Sequence, residues 1–473
     1  MWLAKVTGSR VNPGLASSAP LLTSPEQHLI VLGVPEGQMF REIRFPLGTP
    51  VQYGKVGYMA EAHIHSTDVE RRGMRGTGPF ILTGLSGGHG VFHWFSQSFF
   101  VMLPEVVATF GLTGLQVGAI ATTREVVSGI IALPGGVVTD MVRRHWGLVL
   151  AGCMGLFGVG WLIMGIAPVY PVLLLGMAAV AAAASIWHLP AAAALSQRFA
   201  DHRGSALSIH GVGGNIGDVL GPALTGVLLL SLSWRGILSI YAVVPMLLIF
   251  VVFWAFRDIG QTGSQDIQAA GFREQMTNTR LSFKEHPRLW GIMAVAGLRG
   301  MANVAFLPFL ALYLGLDTEL GLGNAALGLH IALLVGVGVV ATPVIGYVSD
   351  RVGRKVVLIP GMLGLCALTA LLVPFGEGIG LIIILALLGI FFFSDQPILT
   401  AAALDIVGEQ VAASTLGVFS FSRFVLAAAS PLIGGKLFDA VGIESTFFYI
   451  SGIYLLGTVV LLAVPLSPSR RSA

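Results

Sequence analysis

The sequence predicts an all-α membrane protein: twelve transmembrane helices in two six-helix halves. Three observations carry this. The 473 residues are 55% apolar and only 11% charged, with a mean hydropathy of +0.82, whereas soluble domains carry about 25% charge. Apolar stretches of the ~20 residues that cross a hydrocarbon layer recur along most of the chain. The charged residues gather in alternate loops. A soluble enzyme is excluded, and no dense Lys/Arg stripe with interleaved aromatics points to nucleic acid. Cys153 and Cys366 both lie in apolar stretches, which leaves no disulfide framework or thiolate zinc site.

Residues 1–78 form a polar, loosely ordered extension containing HSTDVERRGMRG. The start, MWLAKVTGSRVNPGLASSAP, lacks the apolar core of a secretory signal. Two readings stay open: a genuine cytoplasmic extension, or sequence upstream of a true start at Met59 or Met74. Residues 79–256 hold the first six spans, at 82–103, 113–137, 146–167, 171–196, 206–231 and 236–256. Each is helical because backbone in lipid must satisfy its own hydrogen bonds. A polar central loop, 257–288, follows. Residues 289–466 hold spans at 289–314, 325–348, 356–375, 378–402, 411–435 and 445–466, and 467–473 form a short tail.

An even span count puts alternate loops on one side. Arg143, Arg144, Arg198, Arg203, the basic residues of the central loop, Arg351, Arg354, Lys355, Arg470 and Arg471 then share a side, against only Arg235 and Lys436 opposite. Both termini are expected in the cytoplasm of a plasma-membrane protein. The loop near Asp405 and Glu409 is the exception, with no basic residue of its own. The segments GGVVTDMVRR and GYVSDRVGRK align Gly136 with Gly346, 210 apart (346 − 136), and GPALTG aligns with SPLIGG 209 on (430 − 221). Two duplicated halves account for both offsets, and such paired halves are the architecture of secondary transporters.

Gly346, Asp350, Arg351, Gly353, Arg354 and Lys355 match in full the GxxxDRxGRK loop of the major facilitator superfamily, which residues 79–466 resemble. The first-half copy keeps Gly136, Asp140, Arg143 and Arg144 but has Met141 where a basic residue is usual. The resemblance implies gating loops that latch one conformation. Small residues at 136 and 346 would also let helices approach closely. Gly217, Gly221, Pro222 and Gly226 are similar to the glycine and proline pattern of the family's antiporters, with Thr225 replacing a second glycine. HGVGGNIGDVLGP (210–222) and the Gly88-His89 pair resemble fosmidomycin resistance proteins. Their HPE in span 4 is matched by His188, Leu189 and Pro190, without the acid.

Six charges lie at membrane depth: Arg124, Glu125, Asp218, Arg299, Asp395 and Arg423. Each costs about 2.5 to 3.5 kcal/mol on insertion scales, so each marks a functional hypothesis. They could cancel as structural pairs. Alternatively Glu125 or Asp218, with Asp395, exchanges protons while Arg299, Arg423 and Arg124 hold a polar or anionic group of the substrate. Adjacent Arg124 and Glu125 do not face each other on a helix, so each needs another partner. His89 and His93 share one face of span 1 and, with His188 and His210, are candidate proton relays. No acid stands beside them in the HExxH manner, so no metal is expected. No cofactor is expected either, because nothing fits an ATP-binding GxxxxGK(S/T).

The expected function is alternating-access transport of a small organic compound, coupled to protons as efflux by antiport. The expected partners are the substrate, protons and the lipid bilayer, with the chain acting as a monomer. Uptake of an organic anion by symport is the alternative. A membrane sensor or enzyme would want clustered catalytic groups near one membrane surface; the polar groups here are dispersed over seven spans.

Overall fold

The computed structural model describes residues 73–260, 277, 281, 284–407 and 412–465, without the side chains of 133, 136, 137, 140 and 407–423. By its contacts the chain divides into Met1–His63 and Ile64–Ala473. Only the second falls among the described residues. Thirteen α-helices follow one another there. The first half contains α1 (Gly78–Phe110), α2 (Gly114–Met141), α3 (Trp146–Ile166), α4 (Tyr170–Arg198), α5 (Arg203–Leu228) and α6 (Trp234–Phe256). The second contains α7 (Arg288–Gly315), α8 (Asn324–Val352), α9 (Arg354–Phe375), α10 (Gly378–Phe392), α11 (Asp395–Val407), α12 (Ala412–Val441) and α13 (Ile443–Ala463).

Thirteen helices make twelve spans because the tenth is broken at Phe393 and Ser394. The sequence reading runs that span unbroken from 378 to 402. Pro397 explains the difference: it has no N–H to offer the carbonyl of Phe393, four residues back, and its ring crowds that carbonyl. Asp395 then opens α11 as an acidic first-turn residue.

Among the described residues, nine segments are long and apolar enough to cross a membrane by length and composition, α10 and α11 being taken together. The helices α1, α2 and α5 are not among them. Their apolar content is diluted by His89 and His93, by Arg124 and Glu125, and by His210, Asp218 and a run of glycines. Large apolar side chains such as Leu148, Leu175 and Phe250 are exposed, as expected of faces turned to lipid. Buried aromatics fill the interior of the first half, with Phe95 stacked on Tyr241 at 3.9 Å and Phe92 against Phe157 at 4.3 Å.

The packing repeats with the halves. In the first, α1 lies against α5, α3 against α6 and α2 against α4; in the second, α7 lies against α12, α9 against α13 and α8 against α10. Between halves, α2 packs on α12 and α5 on α8. The contacts themselves are duplicated. A Cβ at Gly118 would strike the carbonyl of Pro431, and one at Gly328 would strike the carbonyl of Pro222. The glycines are 210 apart (328 − 118) and the prolines 209 (431 − 222), the offsets already seen in the motifs. Small residues thus bring the backbones together, at the end of the bundle away from the basic loops.

Candidate functional site

A cavity of about 940 Å³ lies between the halves. Phe99, Phe100, Trp161, Phe392, Phe393 and Phe424 give it an aromatic wall, while Gln97, Asn303 and Gln396 add neutral polar groups. Arg124, Glu125, His93, His188 and Arg299 also line it. Asp218 and Asp395 stand behind this wall, bonded to groups that do line it.

On the first-half side, α1 supplies His89 and His93 from one face, α4 supplies His188, and α5 supplies His210 and Asp218. The His89 ring stands 4.4 Å from His93, 4.8 Å from His188 and 4.2 Å from His210, on which it stacks. His93 Nδ1 lies 2.9 Å from both oxygens of Asp218. His89 Nδ1 lies 2.9 Å from the carbonyl of His210, and His188 Nδ1 meets the carbonyl of Ala184. Glycine makes this crowding possible: a side chain on Gly214 would run into the His89 ring, and side chains on Gly217 and Gly221 into the backbone of α1. Gly226 instead meets α8 at Asn324. Thr225, the departure from the antiporter-like pattern, is fully buried and bonds Ser98 at 2.8 Å and Tyr241 at 2.6 Å, tying together α1, α5 and α6.

Arg124 and Glu125 belong to no such network. Glu125 is 7% exposed and its Oε2 is buried without a hydrogen-bond partner among the described residues. Arg124, on the cavity wall, has no ion-pair partner among them.

Across the cavity an ion pair forms. Arg299 donates from Nε to Asp395 Oδ1 at 2.8 Å, from Nη2 to the carbonyl of Phe392 at 2.8 Å, and from Nη1 to Gln396 Oε1 at 3.2 Å. Asn303 donates to the same carbonyl at 3.0 Å and accepts from the Tyr454 hydroxyl at 2.6 Å. The helix break frees the Phe392 carbonyl, which an unbroken helix would occupy with the N–H of Gln396. Arg299 and Asp395 therefore take each other as partners, while Asp395 Oδ2 is buried without a hydrogen-bond partner among the described residues. A guanidinium satisfied on three sides by buried acceptors has little left to offer a ligand. The side chain of Arg423 lies outside the described residues.

The loop that matches GxxxDRxGRK in full is a stitch within the second half. Arg354 bonds Asp350 and reaches Asp405 Oδ2 at 3.1 Å, which gives the loop with no basic residue of its own a cation from next door; Glu409 is outside the described residues. Lys355 caps the carbonyls of Leu462 and Val464 at 2.7 and 3.0 Å, and Arg351 lies 4.4 Å over the Tyr347 ring. Gly353, at φ +104°, turns the chain from α8 into α9. Among the described residues, no neighbour comes within 4 Å of the Cβ position of Gly346, contrary to the expectation of close packing. In the first copy Arg143 donates to Gln197 at 2.8 Å and Arg144 is exposed. The side chains at Gly136 and Asp140 lie outside the described residues.

The latch between halves is at the other end, and sequence reasoning missed it. Asp439 on α12 accepts from the backbone N–H of Gly114 and, at 2.9 Å, of Leu115, capping the start of α2. Asn324 on α8 donates to Glu105 on α1 at 3.1 Å. Only the repeat offset linking Gly118 with Gly328 and Pro222 with Pro431 could have exposed these contacts beforehand. At the basic end Leu207 and Ile209 on α5, and Val344 and Tyr347 on α8, are exposed.

Comparison with known proteins agrees with this geometry. The "Uncharacterized MFS-type transporter YfnC" of Bacillus subtilis is 24% identical over 76% of this chain and 87% of its own. The "Fosmidomycin resistance protein" of Escherichia coli is 24% identical over 80% of this chain and 92% of its own. A bacterial homologue of the human lysosomal transporter Spinster, solved inward-facing and occupied, superposes with a TM-score of 0.68 at 14% identity, over 82% of this chain and 97% of that one. These proteins are transporters, not enzymes. The profile described as Major Facilitator Superfamily matches residues 85–431 and 311–473, and with the duplicated bundle and its central cavity in place, the chain belongs to that family of multi-pass membrane transporters.

Proposed function

We propose that this transporter exports a small amphipathic organic compound in exchange for protons, with both termini and the basic loops in the cytoplasm. The observation that carries the reading is Glu125. This carboxyl sits on the wall of an aromatic-lined cavity, buried, with one oxygen unpartnered among the described residues. That oxygen can take a proton from cavity water and return it without breaking an existing bond. Aromatic faces suit an apolar ring or chain, and Gln97, Asn303 and Gln396 suit its polar end. The fosmidomycin resistance protein among the relatives favours export. Arg124 in the same wall, without an ion-pair partner among the described residues, favours the second reading, uptake of an organic anion with protons.

Purified protein in vesicles, under an imposed pH gradient and a panel of labelled amphipathic compounds, tests this. Substrate moving against the proton flow is the expected result; movement with it establishes the symport reading instead. Glu125→Gln is expected to lose at least about 10-fold of gradient-driven accumulation while keeping substrate counterflow. Full gradient-driven accumulation in that variant would remove Glu125 from coupling.

A further inference from the structure

Three histidines of the first half share a feature that proton relay does not require. In His89 the acceptor facing Nδ1 is the carbonyl of His210, in His188 the carbonyl of Ala184, and in His93 the carboxylate of Asp218. A carbonyl or an ionised carboxylate can only accept, so in each ring Nδ1 is the donor and carries the hydrogen. In a neutral ring so placed the lone pair is left on Nε2. One ring nitrogen from each of these histidines lies within 4.8 Å of the other two. Three imidazole nitrogens gathered this closely are complementary to a cation.

We infer that His89, His93 and His188 form a binding site for a divalent transition-metal ion of the zinc class, with an open coordination position towards the cavity that His93 and His188 line. The chemistry of the donor set matches. Imidazole suits zinc, copper and nickel, and three protein ligands plus one open position is the arrangement in which zinc holds an exchangeable group. The surroundings match as well, because a ligating histidine characteristically donates its other N–H to a carboxylate or backbone carbonyl, as all three do here. Tetrahedral zinc with bonds of about 2.0–2.1 Å sets its nitrogens about 3.3 Å apart, so side-chain rotations of about 1 Å close the site. A second observation points the same way. His210, stacked on His89 and 6% exposed, has a buried Nδ1 with no partner among the described residues, so the cluster holds one more unsatisfied nitrogen. The site is independent of the direction of transport and of the role of Glu125.

The test uses full-length, tag-free protein in detergent with Zn²⁺ or Co²⁺ alone. One ion per chain is expected, with X-ray absorption reporting three imidazole ligands and Zn²⁺ raising the thermal midpoint. His188→Ala is expected to abolish that midpoint rise, and Asp218→Asn, which removes only the orienting partner of His93, to weaken binding by about 10- to 100-fold. His330→Ala, on α8 in the other half, should change neither. A bound ion with fewer than two imidazole ligands would overturn the inference. So would binding that survives in His188→Ala and disappears when the exposed loop residues His145 and His202 are replaced.

Discussion

The two halves use one scaffold to opposite ends. Facing the cavity from the second half, Arg299 is ion-paired with Asp395 and the broken helix adds the Phe392 carbonyl, although Asp395 Oδ2, like Glu125 Oε2, has no hydrogen-bond partner among the described residues. Facing it from the first half, Glu125 has no ion-pair partner among the described residues, and three imidazoles bring ring nitrogens within 4.8 Å of one another. Duplication supplied the same six-span frame to both, and the difference lies in whether each charged group was given an ion-pair mate. A paired charge fixes a wall; an unpaired one leaves room for a proton, an ion or a substrate to complete it. This is why charge content alone, nearly balanced between the halves, does not identify the working side.

The strongest way to break the comparison is to unsaturate the second half. Asp395→Ala leaves the Arg299 guanidinium buried and uncompensated, and the expected cost is about 3–5 kcal/mol, read as a drop in the thermal unfolding midpoint and in yield. Replacing both members, Arg299→Met with Asp395→Leu, should recover most of that loss; no recovery would mean that the pair does more than close the wall. By contrast, Glu125→Gln should leave the midpoint within about 0.5 kcal/mol of wild type while changing coupled transport.

A smaller effect belongs to the contacts between halves. Gly328→Ala and Gly118→Ala each place a methyl against a proline carbonyl, and overpacking of this kind costs about 1–3 kcal/mol. That cost falls only on the state in which these ends touch. Double electron–electron resonance between labels at Ala325 and Leu228 should show a longer distance in both variants; an unchanged distribution would show that the contact does not set the resting state. The smallest effect is at Glu319, in the turn between α7 and α8, where burial first and then the Glu444 charge raise the carboxyl above its usual range. A raised acid binds its proton more tightly in the folded state, so it costs nothing well below the unfolded value, and stability falls as pH rises through the folded one. Glu319→Gln should therefore raise the midpoint slightly near neutral pH and leave it unchanged under acid.

Much of the fold was legible, for reasons that are physical. Spans announce themselves by length and apolarity, and the offset between Gly136 and Gly346 exposes the duplication. The break at Phe393 was hidden because apolar content continues across it, and only Pro397 signals it. For the site, the sequence singled out Arg124, Glu125 and the histidines as unusual at membrane depth. It could not say which were mated. His93 and Asp218 lie 125 residues apart, and Arg299 and Asp395 lie 96 apart; no spacing rule reaches across separate helices. The role of Asp439 was invisible for the same reason, since its partners are backbone N–H groups that any sequence would offer.

The glycine and proline contacts between the halves carry one more consequence. Where Gly118 meets Pro431 and Gly328 meets Pro222, backbone rests on backbone, with no interlocking side chains to disengage. Such surfaces act as a pair of smooth bearings. They hold by dispersion and weak Cα–H···O attraction, so rocking one half over the other meets its resistance in the few polar clasps at Asp439, Glu105 and Thr122, whose hydroxyl donates to the Ala428 carbonyl at 2.6 Å.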